Sequence, residues 1–184
     1  MRTHYTWPLL ALAVSASGLL AQADTSPLDT APRPVLTPGQ QAYQTGLRTV
    51  GRGIAQLKTG VSRVVAAEGA RDTVTLRQAG QRLAAICRAA AGFMASGRPQ
   101  MRPFAFDPPI RESAQSLRAR VDSVNAYLPD CTRRAARHPG TVKEGLIKRL
   151  TSYETALAEY RVALVTPVGQ QGDSLRDTTK APQH

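Results

Sequence analysis

The sequence predicts an all-α protein, an up-down-up-down four-helix bundle with a disordered N-terminal spacer and a disordered C-terminal tail. Three observations lead there. Between residues 38 and 165 four stretches place apolar residues at alternating spacings of four and three, the pattern of a helix with one buried face. Strand-like alternation is nearly absent from the same region. The first connection is so short that the helices it joins must be antiparallel neighbours, as in a bundle.

The first helix is announced by Thr37-Pro38-Gly39-Gln40, a threonine N-cap, a proline at the first helical position and a glutamine that completes a capping box. Its stripe is Tyr43, Leu47, Val50, Ile54, Leu57, Val61 and Val64. Gly46, Gly53 and Gly60 recur every seventh position on one shoulder of that stripe, with Gly51 on the other. Each forfeits roughly 1 kcal/mol of helix propensity against alanine, so packing must replace what they lose. The expected return is a flat shoulder against which a neighbouring helix packs closely; the functional alternative is the floor of a groove for a partner helix or ligand. Glu68-Gly69-Ala70 breaks the helix, with glycine suited to the C-terminal turn.

The second helix spans roughly 72–96, capped by Asp72 or Thr73, with Leu76, Ala79, Leu83, Ile86, Cys87, Ala90, Phe93 and Met94 on one side. Gly80 falls on that side too, where it adds a gap rather than a knob. The third helix starts at the cap Asp107 and Pro108 and carries Ile110, Ala114, Leu117, Val121, Val124, Leu128 and Cys131. Pro129 is expected to kink or end it, since an interior proline loses a hydrogen bond and clashes with the preceding turn. Thr141-Val142-Lys143-Glu144 reads as a capping box opening a fourth helix with Leu146, Leu150, Tyr153, Leu157, Tyr160 and Leu164.

The flanks read differently. Residues 1–23 have the form of a secretory signal peptide: Arg2 and His4, an apolar run from Trp7, and Ala21-Gln22-Ala23 in the small-x-small pattern of a cleavage site. Residues 24–37 form a Pro-rich linker, 38–165 the four-helix bundle and 166–184 a polar, disordered tail. No segment of the mature chain is apolar enough to span a membrane. The protein is therefore expected to be exported, to the periplasm or outside the cell.

The whole chain carries 24 Lys and Arg against 13 Asp and Glu, a formal charge of +11. Such a surface attracts polyanions and anionic membranes, although an excess of arginine over lysine also follows from GC-rich codon usage. The densest run, residues 133–149, offers Arg133, Arg134, Arg137, Lys143, Lys148 and Arg149 as an anion-binding patch next to a helix N-terminus. Tyr127 and Tyr153 only flank it, so no stacking platform for single-stranded nucleic acid and no specific nucleic-acid readout is indicated.

Catalysis finds no support in the residues. His4 leaves with the signal peptide, His184 is the last residue, and His138 stands among arginines in a loop. No acid or histidine interrupts the four stripes, so a di-iron site of the ferritin type is excluded, and Cys-x-x-Cys-His for covalent haem is absent. A haem held by Met94 or Met101 with His138 would need ligands from opposite ends of the bundle. No catalytic residue, metal or cofactor is expected, and the protein is read as a non-enzyme.

Two further pairs carry expectations. Phe104 and Phe106, in the long connection before the third helix, either fold inward to plug the open end of the bundle or form an exposed aromatic tip that contacts another protein. Cys87 and Cys131, the only cysteines, are expected to pair in an oxidising compartment. With straight helices in level register their heights would differ by roughly 20 Å, so the bridge is expected to need release of the chain around Cys131 at Pro129, with an uneven bundle supplying the remaining shift. The functional expectation is a binding or interaction module of the cell envelope or exterior that holds an unknown protein partner; the alternative is a binder of anionic polymers or surfaces through residues 133–149.

Overall fold

The computed structural model of the chain describes residues 35–165. The predicted signal peptide, linker residues 24–34 and the predicted tail 166–184 lie outside the described residues. Within them the chain forms four helices and no strand: α1 (Pro38–Gly69), α2 (Thr73–Gly97), α3 (Pro108–Arg134) and α4 (Pro139–Val165). Two short 3-10 turns, Arg98–Gln100 and Pro103–Ala105, lie between α2 and α3. Each helix packs on its neighbours in sequence and α4 closes back against α1, giving the up-down-up-down bundle.

The helix starts follow local chemistry. The Thr37 hydroxyl accepts from the Gln40 amide at 3.3 Å while the Gln40 side chain accepts from the Thr37 amide at 2.9 Å, the reciprocal capping box. Asp72 caps α2, accepting from the Val74 amide at 2.9 Å and from the Thr75 hydroxyl, and these two bonds, the hydroxyl's first, lower its pKa. Asp107 occupies the N-cap of α3 without a side-chain bond. Two boundaries differ from the sequence reading. The turn after α1 is made by Arg71, whose φ of 53° is left-handed, and not by Gly69, which remains helical. Helix α4 begins at Pro139, with Val142 N donating to His138 O at 3.2 Å, so Thr141 is the third helical residue and Glu144 the sixth, and the two form no capping box. A proline at the first helical position, already lacking its N–H, starts the helix three residues earlier.

The heptad glycines are packed against α2. A Cβ on Gly46 would stand 2.5 Å from the Gly97 carbonyl oxygen, one on Gly53 3.4 Å from the Ala90 carbonyl oxygen, and one on Gly60 2.8 Å from a Leu83 methyl. As the first helix climbs by sevens the second descends by sevens, so the repeat is the footprint of one antiparallel seam. Gly80 makes the equivalent contact on α2's other side, where a Cβ would meet the Ala135 carbonyl oxygen at 2.4 Å. It adds no gap, because the backbone at the end of α3 fills the space.

Cys87 and Cys131 are disulfide-bonded, with Cα atoms 6.1 Å apart. The expected release of the chain at Pro129 does not occur: α3 runs through Pro129 to Arg134, and Cys131 is a fully buried helical residue. The uneven bundle supplies the whole shift. Cys87 stands ten residues before the end of α2 and Cys131 twenty-three after the start of α3, so α3 begins about 20 Å beyond the end of α2. Residues 98–107 run down that distance and take the place of a longer α2. There Met101 and Phe106 are buried, and Gly39 near the start of α1 approaches Ala105. The cross-link closes a 44-residue separation and stabilises by about 3–4 kcal/mol in the chain-entropy account.

Arg118 holds the descending connection to α3. Its guanidinium donates to the carbonyl oxygens of Arg98 and Met101, the latter at 2.8 Å, and lies 3.2 Å from Asp122, which also pairs with Arg98. The core runs the length of the molecule through Leu57, Leu83, Leu117, Leu128 and Leu146, and no charged side chain is buried among the described residues.

Candidate functional site

The two shoulders of α1 meet opposite fates. On the α2 side its glycines touch backbone and side chains, whereas a Cβ on Gly51 would find nothing within 4 Å. Gly51 lines a groove of about 450 Å³ between α1 and α4. Leu47 and Ile54 form one wall, Tyr153, Leu157 and Leu164 the other, and Arg48 and Arg161 stand on the rims. Neither rim arginine has a carboxylate partner among the described residues, whereas Lys58 and Glu154 pair across the seam. Gln44 donates to the Tyr160 hydroxyl at 2.9 Å, placing one polar pair in an otherwise largely apolar lining. A volume in this range suits a small ligand or a few side chains of a docked helix.

Beneath the groove lies an aromatic cluster. Tyr43, Phe106 and Tyr160 have ring centroids 5.1–5.8 Å apart, and the Tyr43 hydroxyl donates to the Ala114 carbonyl at 2.9 Å. Burial pushes the Tyr43 phenol well above its ordinary pKa, with Tyr160 adding to it, and burial does the same for Tyr160. Tyr153 is raised by burial as well, against the opposing pull of Arg161. All three phenols are therefore neutral hydroxyls at physiological pH.

The structure separates Phe104 from Phe106. Phe106 plugs the end of the bundle at 2 % exposure and presents no surface to a partner, which corrects its place among the protein-contact residues. Phe104 is 76 % exposed, with the Arg111 guanidinium 5.7 Å from its ring centroid. Phe104 sits within the 3-10 turn Pro103–Ala105, whereas Phe106 follows it in extended conformation, and the two side chains end on opposite sides, one in solvent and one in the core.

The basic run 133–149 is not one patch. Arg133 and Arg134 share Asp130, at 3.7 and 3.0 Å, and Lys143 pairs with Glu68 at 2.5 Å. Arg137 is exposed at the turn before α4. Arg149 turns away from that corner: its guanidinium lies 4.1 Å from the Tyr127 ring centroid and donates to Gly145 O at 2.9 Å. With Lys148 and Ser152 on the same helix it faces Arg120 and Ser123 of α3 across an outer groove of about 220 Å³. Arg120 is a cation that the sequence reading left out. It lies twenty-eight residues before Lys148, and only the antiparallel register of α3 and α4 brings the two together.

Among the described residues no three His, Cys, Asp or Glu side chains cluster as a metal site would require, and His138 is exposed in the α3–α4 turn. No helix there is long and apolar enough to cross a membrane. No protein-family model, no curated protein and no solved structure matches this chain.

Proposed function

We propose that the protein is exported and works by binding, holding an amphipathic helix of a partner protein in the groove between α1 and α4. The single observation that carries this reading is the asymmetry of α1: three glycines close one seam while Gly51, on the opposite shoulder, leaves the other open. A helix laid in a groove recognises through apolar anchors at helical spacing, and Leu47, Ile54 and Leu157 supply the matching walls. Arg48 and Arg161 on the rims favour acidic residues flanking the partner's apolar face. The Cys87–Cys131 bridge and the signal-like residues 1–23 support an oxidising compartment outside the cytoplasm.

Affinity capture from an envelope and culture-medium extract tests the reading, using the wild type, Gly51→Phe, which fills the groove, and Phe104→Ala, which removes the exposed aromatic tip. The expected result is a partner retained by the wild type and Phe104→Ala and lost by Gly51→Phe, with melting temperatures unchanged. A partner held equally by Gly51→Phe, or one lost only in Phe104→Ala, would move the interface away from the groove. The second reading, binding of anionic polymers or surfaces, keeps one specific support, the carboxylate-free cations between α3 and α4.

A further inference from the structure

We propose that the groove formed by Arg120, Ser123, Lys148, Arg149 and Ser152 is a binding site for a phosphate group, either free inorganic phosphate or the phosphomonoester of a lipid headgroup. It rests on the anionic-surface reading and narrows that reading to one pocket. Three cations converge on a space of about 220 Å³ from facing helices. Arg133 and Arg134 have a counter-charge in Asp130, and Lys143 has one in Glu68. Arg120, Lys148 and Arg149 have none within ion-pairing distance among the described residues. Glu159 lines the adjoining pocket with Arg120, and Glu144 stands one helical turn before Lys148, yet neither forms an ion pair with these cations.

Arg149 is held in place before any ligand arrives. Gly145 makes this possible, because a Cβ there would stand 2.3 Å from the Tyr127 hydroxyl and displace the ring on which the guanidinium rests. Its Nε is buried without an acceptor in the protein. A planar guanidinium fixed by stacking keeps its fork of donors oriented, which lowers the ordering cost of binding an oxyanion. Arg120 and Lys148 bring a second and third charge, and the Ser123 hydroxyl has no protein partner and can donate. A carboxylate would satisfy one of these cations, whereas a phosphate, with up to two negative charges and three free oxygens, engages all of them.

Titration of the full-length protein with inorganic phosphate at low ionic strength, read by calorimetry, tests the site, alongside co-sedimentation with phosphatidylcholine vesicles containing or lacking phosphatidic acid. Saturable binding is expected in the wild type, weakened about tenfold in Arg120→Ala and in Lys148→Ala, the loss of one charge-assisted hydrogen bond each. The Arg133→Ala/Arg137→Ala double variant should bind as the wild type does. Site-dependent binding of free phosphate assigns the free anion, and site-dependent binding of phosphatidic acid vesicles alone assigns the headgroup. Absence of both, or equal weakening by the double variant, overturns the proposal. Retention on heparin resin separates the two levels: wild type that stays bound while both groove variants match it in every assay leaves the anionic-surface reading standing without the pocket, and wild type that elutes at low salt and binds neither phosphate nor phosphatidic acid vesicles removes both.

Discussion

Gly46 and Gly51 lie on the same helix and ask for opposite substitutions. At Gly46 an added methyl would stand 2.5 Å from a backbone oxygen of α2, which cannot move without parting the helices. Alanine there gains about 1 kcal/mol of helix propensity but overpacks a close backbone-to-backbone seam, which costs typically 1–3 kcal/mol. Gly46→Ala is therefore expected to be net destabilising. At Gly51 nothing opposes the methyl, so Gly51→Ala should stabilise by about 0.5–1 kcal/mol. Urea midpoints of the two variants check the pair, and a shift of the same sign in both would contradict the asymmetry. The seven-residue glycine period was visible in the sequence, and so was its most economical meaning. Which shoulder is open was not, because periodicity locates a face of one helix and says nothing about which neighbour lies against it.

Helix α3 shows where sequence reasoning at the scale of an element succeeds and where it stops. Its stripe from Ala114 to Cys131 was legible and is buried as read. Pro129 was expected to break it, yet tertiary contacts on both sides carry the helix through: Leu128 and Cys131 are in the core, and the disulfide ties the following turn to α2. The local rule lost to packing. The descent of residues 98–107 along α3 was not legible, since it depends on Arg118 reaching the carbonyls of Arg98 and Met101 from a helix position that reads as ordinary polar surface. If packing alone overrides the proline, its local penalty is still present in the folded state. Pro129 is exposed, and Pro129→Ala restores an N–H to the helix. It should raise stability by up to about 3 kcal/mol without moving the Cys87–Cys131 bridge. Denaturant melts of the oxidised variant measure this, and a loss of stability would mean that the proline is matched to a bend the bundle needs.

At the scale of the whole molecule the tyrosines link α1 and α4 to the charge state of the core. Tyr43, Tyr153 and Tyr160 are each at most 4 % exposed, and burial raises all three pKa values above the unfolded value of about 10. The neutral phenol is thus favoured in the folded state, and the stability this provides is fully present below pH 10. As pH rises past about 10 the unfolded chain ionises these groups while the folded chain keeps them protonated. Stability then declines by up to about 1.4 kcal/mol per pH unit for each tyrosine until the folded pKa is reached. Variants apportion the decline among the three tyrosines. Tyr160→Phe removes one of the three ionising groups together with its bond to Gln44, and Tyr43→Phe removes another together with its bond to the Ala114 carbonyl. Both should be less stable than the wild type at neutral pH, yet each should lose stability less steeply between about pH 10 and 11. Phenolate absorbance offers an independent measure, because the native protein should ionise part of its tyrosine only at higher pH than the urea-unfolded chain. Coincident native and unfolded titrations, or variant slopes equal to the wild type, would place these hydroxyls in contact with solvent and open the α1–α4 seam further than the groove now extends.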